Sequence, residues 1–217
     1  MSLKSLLVVT VATIFFQQSF AQRNYDEYNI IGFHAGLSFT DIATSNFTTK
    51  QGSGFMGGFT TRGSFRGAFD LLYGLNFVSA TIGVLAQNGG QDVFVDYAVQ
   101  GAQIMLLGSL NIVKHHLSLE FGPALNISGK LKLNSESQEA YLLDGYNELQ
   151  AGDINDINTI NFHFAGGVTA GIESFRVYGH YQYGVTNMLG RLNDDGLEVD
   201  NLEGHMSMLT VGAVFYF

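Results

Sequence analysis

The nine residues LTVGAVFYF at positions 209–217 place the strongest constraint on what this chain can fold into. Successive side chains of a strand point to opposite faces, so one face of this segment carries Leu209, Val211, Ala213, Phe215 and Phe217. The other face is mostly small or amphipathic. A strand with such an apolar face is poorly suited to a water-soluble domain. The pattern is typical of the last strand of a membrane-spanning barrel, whose outer face contacts lipid.

The N-terminal residues predict export. Lys4 precedes an apolar run at 6–16, and Ser19, Phe20 and Ala21 form a small-x-small cleavage site. We expect a secretory signal peptide at 1–21 and a mature domain at 22–217. An N-terminal membrane anchor is the alternative, although the run is short for a membrane span. The chain has no cysteine, which excludes disulfides and a lipid-modified N-terminal cysteine.

Composition narrows the class of protein further. The chain is 46% hydrophobic but only 13% charged, against about 25% charged residues in soluble domains. No run of 18 apolar residues occurs after the N-terminal apolar run at 6–16, so a transmembrane helix is not expected. The net charge of −9 makes nucleic acid an improbable partner.

Eight segments with alternating side chains can be traced along the chain. They are residues 29–39, 54–62, 68–80, 93–107, 117–128, 159–172, 176–187 and 205–217. The fourth is ambiguous because it is continuously apolar at 104–107, and a bulge near Gly101 would switch its face.

The connections between these segments alternate in length. Short ones are expected at 63–67, 108–116 and 173–175, and long ones at 40–53, 82–92, 129–158 and 189–204. This favours an all-β fold, an eight-stranded antiparallel transmembrane β-barrel of the outer-membrane type, with short periplasmic turns and long external loops. A soluble β-sandwich is the alternative.

Several stretches resemble the PorT-like proteins with an outer membrane protein beta-barrel domain, often labelled the porin family. They are GFHAGLSFT at 32–40, Phe121-Gly122-Pro123, GGVTAGIE at 166–173, YQYGVTN at 181–187 and the terminal FYF. The resemblance implies an integral outer-membrane barrel of a Gram-negative bacterium. For the PorT proteins themselves it also implies a part in a secretion apparatus. It implies that barrel-assembly machinery reads the terminal strand, with Phe215 and Phe217 as the assembly signal.

The inward faces of the predicted strands carry polar side chains. The interior of an eight-stranded barrel is filled by side chains, and buried charges there must be paired. We therefore expect a structural polar network in the lumen, with a proton or ion path as the alternative. Its predicted members are His34, Arg62, Asp70, Glu120, His163 and His180, and Asn76, Arg176 and Gln182 share the same faces.

The two longest predicted loops are acidic. Together they hold eleven of the nineteen acidic residues of the chain. Residues 193–196 (NDDG) resemble a calcium loop only faintly, so solvated carboxylates are favoured and no metal site or cofactor is expected. Divalent cations that bridge these carboxylates to lipopolysaccharide phosphates are an open alternative.

His205 and Ser207 share a face near the outer end of the last segment, with Glu203 close by. Some barrel lipid-A deacylases use a His-x-Ser pair, so a lipid-modifying enzyme is an alternative function. No other catalytic motif is present, and no catalytic residue is assigned.

The sequence favours a non-enzymatic outer-membrane barrel with a structural, interaction or complex-accessory role. A narrow transport or secretion-accessory barrel is the second alternative. The expected partners are outer-membrane lipid, lipopolysaccharide, the assembly machinery and an envelope or secretion complex.

Overall fold

The computed structural model describes residues 28–199 and 201–217. The predicted signal peptide at 1–21 and its cleavage site lie outside the described residues. One sheet contains all the strands, and three short 3-10 helices lie between them at Glu136–Gln138, Ala151–Asn155 and Gly190–Asp194. The strands are β1 Asn29–Ala43, β2 Thr49–Arg66, β3 Phe69–Asn88, β4 Gln91–Val113, β5 Leu117–Ser128, β6 Lys132–Leu133, β7 Leu142–Leu143, β8 Ile160–Gly171, β9 Phe175–Gly184 and β10 His205–Tyr216.

The eight long strands close into a ring. Each pairs antiparallel with its neighbours in the order β1, β2, β3, β4, β5, β8, β9, β10, and β10 returns to β1. That last ladder runs from Gly32↔Tyr216 to Ala43↔His205. Closure removes both free edges of the sheet, since every long strand has a partner on each side. The predicted eight-stranded antiparallel barrel is confirmed, and the soluble sandwich is wrong.

The outer surface of the barrel is a belt of exposed apolar side chains. On β1, for example, Leu37 is 63% exposed while its neighbour Ser38 is fully buried. Such an exterior over a polar interior is the arrangement of transmembrane barrels, because lipid then covers the apolar side chains. The belt contains Ile31, Phe33, Leu37, Phe55, Phe59, Tyr73, Leu75, Phe77, Ile104, Leu119, Phe121, Phe162, Phe164, Val177, Tyr181, Val211 and Phe215.

Among the helices of the described residues, none is both long enough and apolar enough to cross a membrane.

Strands β2, β3 and β4 extend farther than the sequence predicted. The connections expected at 40–53 and 82–92 shorten to residues 44–48 and 89–90. Gly89 and Gly90 have φ of 58° and 83°, the positive values that a two-residue type I′ hairpin turn needs at both positions. The β3–β4 hairpin therefore projects beyond the apolar belt at the end that carries the long loops. The three turns at the opposite end, residues 67–68, 114–116 and 172–174, are short, as expected.

The bulge predicted near Gly101 is absent. The β3–β4 register runs unbroken from Phe69↔Leu110 to Asn88↔Gln91. Val95, Tyr97 and Val99 are buried on the same inward face as Gln103. The strand does not change face. Ile104 and Leu106 point outward into the belt, and Met105 and Leu107 point inward, where they pack in a small apolar cluster with Leu72, Ala124 and Ala165. The prediction of a bulge is wrong because the continuously apolar run at 104–107 reflects apolar surroundings on both faces of the strand, and not a shift of the backbone.

Residues 129–159 and the described part of 185–204 (residues 185–199 and 201–204) fold over one mouth of the barrel, the one predicted to be external, and we call these two segments the cap. Their apolar side chains pack against the inward faces of β3 and β4 above the belt. The cap therefore has a hydrophobic core of its own, in place of freely solvated loops. The cap contributes Leu131, Leu143, Leu149, Ala151, Ile154, Ile157, Met188, Leu189, Leu192 and Leu202, and β3 and β4 contribute Val78, Ala80, Ile82, Val84, Ala86, Val95, Tyr97 and Val99.

Candidate functional site

The polar lumen contains all the residues predicted for it. Each sits at an inward position of its strand, since every second side chain of a barrel strand faces inside. The structure buries His34, Arg62, Asp70, Glu120, His163 and His180 in the lumen.

Arg62 organises the half of the lumen nearest the short turns. Its Nη1 donates to Asp70 Oδ2 at 3.1 Å and to Ser109 Oγ at 2.9 Å, and its Nη2 pairs with Glu120 Oε1. Asp70 also accepts a hydrogen bond from the Tyr28 hydroxyl at 2.5 Å. One guanidinium thus joins β2 to β3, β4 and β5 across the barrel interior.

Glu120 carries the network to the opposite wall. Its Oε2 accepts hydrogen bonds from His180 Nε2 and from Thr169 Oγ1, both at 2.7 Å. The carboxylate therefore holds β5 to β8 and β9 while its other oxygen holds Arg62. A buried charge needs such partners to offset its lost hydration.

A second network lies farther toward the cap. His34 Nε2 donates to Asn76 Oδ1 at 2.7 Å, and His34 Nδ1 accepts from the Tyr178 hydroxyl at 3.0 Å. Asn76 Nδ2 donates to Gln103 Oε1 at 2.9 Å. Gln103 Nε2 in turn donates to the side chains of Asn126 and Gln182, at 2.7 and 2.8 Å. These six neutral groups cross-link five strands, β1, β3, β4, β5 and β9, without any charge.

His163 is the predicted member that joins neither network. Its ring is buried on β8, and neither ring nitrogen has a hydrogen-bond partner among residues 28–199 and 201–217. The structure thus brings together five of the six predicted residues, divided between the two networks.

The space left between the networks is small. A cavity of about 30 Å³ lies between His34, Tyr178, Glu120 and His180. That volume suffices for one or two water molecules. The side chains fill the lumen, and the cap covers its external end.

The cap is held together by its carboxylates. Glu198 accepts hydrogen bonds from the backbone N–H groups of Glu148 at 2.7 Å, Asn147 at 3.0 Å and Leu149 at 3.2 Å, and so ties one cap segment to the other. These donors, that of Glu148 first, hold the pKa of Glu198 below its usual value. Asp156 pairs with Lys130 at 3.2 Å and with Arg191 at 3.4 Å. Part of the acidic character predicted as solvated charge is therefore structural.

The faint calcium-loop pattern has a different role. Asn193 Oδ1 accepts from the backbone N–H of Leu202 at 2.6 Å, and its Nδ2 donates to the Leu202 carbonyl at 3.1 Å. The Asn193 side chain thus fixes the backbone of Leu202 within the cap. Within the described parts of the chain, no three His, Asp or Glu side chains are grouped closely enough to hold a metal ion.

No protein-family model matches the chain, and no curated protein sequence does. The chain is similar to solved outer-membrane barrel structures. Neisserial surface protein A matches with 9% identity and a TM-score of 0.49, over 86% of this chain and 97% of that one. Ail of Yersinia pestis matches with 13% identity and a TM-score of 0.48, over 87% and 99%. OprG of Pseudomonas aeruginosa matches with 10% identity and a TM-score of 0.48, over 88% and 97%. At these identities and scores the likeness carries nothing about activity, and the barrel rests on the strand pairing itself.

His205 and Ser207 do not form a nucleophile and base. His205 Nδ1 lies 3.0 Å from the Gly184 carbonyl oxygen, and its Nε2 lies 3.2 Å from Glu203 Oε1. Both ring nitrogens thus face acceptors, and neither is directed to the Ser207 hydroxyl. The ring also stacks on Tyr183, with ring centroids 5.8 Å apart. The arrangement anchors β10 to β9 at the external rim.

Several contributors were missed from sequence. Ser109, Thr169 and Gln103 complete the lumen networks, and Tyr97 donates a hydrogen bond to the Ala151 carbonyl at 2.8 Å in the cap. A single Ser or Thr at an inward position does not indicate which side chain it will contact. The inward position of Tyr97, in contrast, follows from an unbroken alternation along β4 through Gly101.

Proposed function

We propose that the chain is a non-enzymatic integral protein of the outer membrane, a closed barrel that displays its folded cap on the cell surface as an interaction platform. The barrel anchors the cap, and the cap makes the contacts. The apolar belt supports a membrane location, since it leaves large aromatic side chains such as Phe59 about half exposed.

One observation carries the proposal: the cap shares a continuous apolar core with the inward faces of β3 and β4. External loops that line a pore are polar and leave it open. Here Leu192 and Leu202 are fully buried over the mouth, and the lumen beneath is filled. Because the cap covers the mouth and side chains fill the lumen, the barrel is suited to anchoring and displaying the cap.

The partner is proposed from the charge of the cap. Its exposed carboxylates include Glu136, Asp194 and Asp195, whereas Lys130 and Arg191 are engaged with Asp156. An acidic surface suits a basic protein face, or lipopolysaccharide phosphates bridged by divalent cations.

Conductance of the purified mature protein in planar bilayers tests the closed barrel. We expect no unitary conductance steps. As a control, a variant whose residues 130–158 are replaced by a Gly-Ser linker loses the first of the two cap segments but keeps the lumen networks, and it should also show no conductance steps. Stable steps from the unaltered protein would favour the narrow transport barrel instead.

Display is tested by photo-crosslinking in whole cells from a single cysteine at Ser137, which is exposed on the cap. The matched control is a single cysteine at Ser174 in an opposite-end turn. We expect a discrete adduct from Ser137 that the control does not give, and the absence of any such adduct argues against display.

The secretion-accessory role implied by the PorT resemblance remains a prediction, tested by comparing exported proteins with and without the chain. The lipid-modifying alternative is tested by deacylation of purified lipopolysaccharide, which Ser207→Ala would abolish if that alternative were correct. The engaged nitrogens of His205 argue against it.

A further inference from the structure

A second cavity opens at the end of the barrel opposite the cap. Its volume is about 270 Å³, far larger than the lumen cavity. Aromatic and aliphatic side chains of Tyr28, Ile30, Tyr216 and Phe217 form most of its wall. It lies among the short turns, the side that faces the periplasm if the cap faces outward.

Arg176 lines this cavity and is the most deeply buried of its lining groups. The residue is 1% exposed, and its Nε has no hydrogen-bond partner within residues 28–199 and 201–217. Its single hydrogen bond in that part of the chain is a long one, 3.4 Å from Nη1 to Ser118 Oγ.

The contrast with Arg62 shows what Arg176 is lacking. Arg62 binds both nearby carboxylates, Asp70 and Glu120, and those carboxylates are also occupied by Tyr28, Thr169 and His180. Within the described residues no carboxylate lies in ion-pair contact with Arg176. A buried guanidinium needs an anion to offset its lost hydration.

Charge and size indicate which anion fits. One guanidinium matches one negative charge, and its fork-like edge suits the two oxygens of a carboxylate. A phosphate dianion would need a second cation. His115, at the rim of the cavity, does not supply one, because its Nδ1 already faces the exposed carboxylate of Glu173 at 3.8 Å. The apolar wall suits an aliphatic group attached to the carboxylate.

We propose that this cavity binds a carboxylate carried by a small apolar group, such as the C-terminal residue of a peptide in the periplasm, with Arg176 as its ligand. The bound group would lie between Arg176 and the aromatic wall. The cap plays no part in this site.

Isothermal titration calorimetry on the full mature protein in detergent tests the site. We expect saturable binding of N-acetylalanine, and binding at least tenfold weaker for neutral N-acetylalaninamide and for inorganic phosphate. Acetyl-trialanine and propionate distinguish a peptide terminus from a free acid. Stronger binding of the peptide supports the proposal, and equal binding of propionate overturns its peptide source.

The variants decide whether Arg176 is the ligand. Arg176→Gln should weaken binding of N-acetylalanine at least tenfold, whereas Arg66→Gln, at an exposed turn of the same end, should leave it unchanged. Heat-modifiability on gels checks that each variant folds. If Arg176→Gln fails to assemble, Arg176→Lys and the amide comparison on the unaltered protein take its place.

Three results would overturn the proposal. They are no binding, equal binding of acid and amide, and equal binding by Arg176→Gln. In the sequence, Asp26 and Glu27 directly precede Tyr28, which lines the cavity. Binding that emerges only in the Asp26→Asn, Glu27→Gln double variant would also overturn the proposal, because the chain's own carboxylates would then hold Arg176.

Discussion

Among single residues of the lumen, Glu120 is the one whose removal should reduce the stability of the barrel most. It is 2% exposed and accepts from Arg62, His180 and Thr169, which belong to three other strands. Glu120→Ala leaves Arg62 and His180 facing an empty site, and loss of one member of a buried pair costs about 3–5 kcal/mol. We expect the temperature of the heat-modified gel shift to fall. Glu173→Ala, which removes an exposed carboxylate, is the matched control and should leave it unchanged. An unaltered transition in Glu120→Ala would show that the network contributes no stability.

Glu198 gives the cap a pH dependence. Its three backbone donors stabilise the charged carboxylate and lower its pKa, so the folded cap binds fewer protons than the unfolded one. That stabilisation is fully present above the ordinary glutamate pKa of about 4.3 and is lost as the pH falls through the lowered value. The protection of the amides at residues 147–149 against hydrogen exchange, relative to their intrinsic exchange rate at each pH, should therefore fall below about pH 4. In Glu198→Gln, this protection should be low at pH 7 already and should not fall further on acidification. Identical pH profiles for both proteins would contradict this role.

At the scale of elements, β10 closes the barrel. Phe215 pairs with Phe33 and Tyr216 with Gly32, and Tyr216 also fills the lumen at 3% exposure. Deletion of residues 215–217 shortens the closing ladder and removes the predicted assembly signal, so we expect unfolded, protease-sensitive protein that lacks heat-modifiability. Phe215→Lys should do less harm, because a charge near the membrane interface costs about 0–1 kcal/mol, against about 2–4 at the midplane. Normal assembly of the deleted protein would show that the strand is dispensable.

The elements within the membrane were predictable from sequence, and those beyond it were not. Phe33, Leu37 and Phe59 alternate with small or polar residues because lipid and lumen impose opposite preferences on the two faces. Above the belt this relation reverses on β3 and β4. Inward residues such as Ile82 and Tyr97 are apolar and outward residues such as Asp96 are polar, so the rule that holds within the belt no longer tells inside from outside. The inward positions of Arg62 and Glu120 followed from the same alternation. Their mutual contact did not, since it depends on register across strands far apart in sequence.

At the scale of the whole molecule, polarity inside the barrel changes along its axis. The lumen holds two hydrogen-bonded networks within the apolar belt, and a hydrophobic core beyond it supports the cap. The end opposite the cap holds the cavity with Arg176. Two different environments at the two ends, joined by a filled barrel, fit the two proposals above: a cap that makes contacts on one side of the membrane and a carboxylate site on the other.

The proposed orientation, with the cap outside the cell, is tested by cysteine labelling in intact cells, because the sequence contains no cysteine. A membrane-impermeant maleimide should label a single cysteine at Ser137, on the cap. It should label a single cysteine at Ser174, in an opposite-end turn, only after the outer membrane is permeabilised. Labelling of the cysteine at position 174 in intact cells, with that at position 137 protected, would contradict this orientation. Equal labelling of both in a soluble periplasmic fraction would contradict the membrane location.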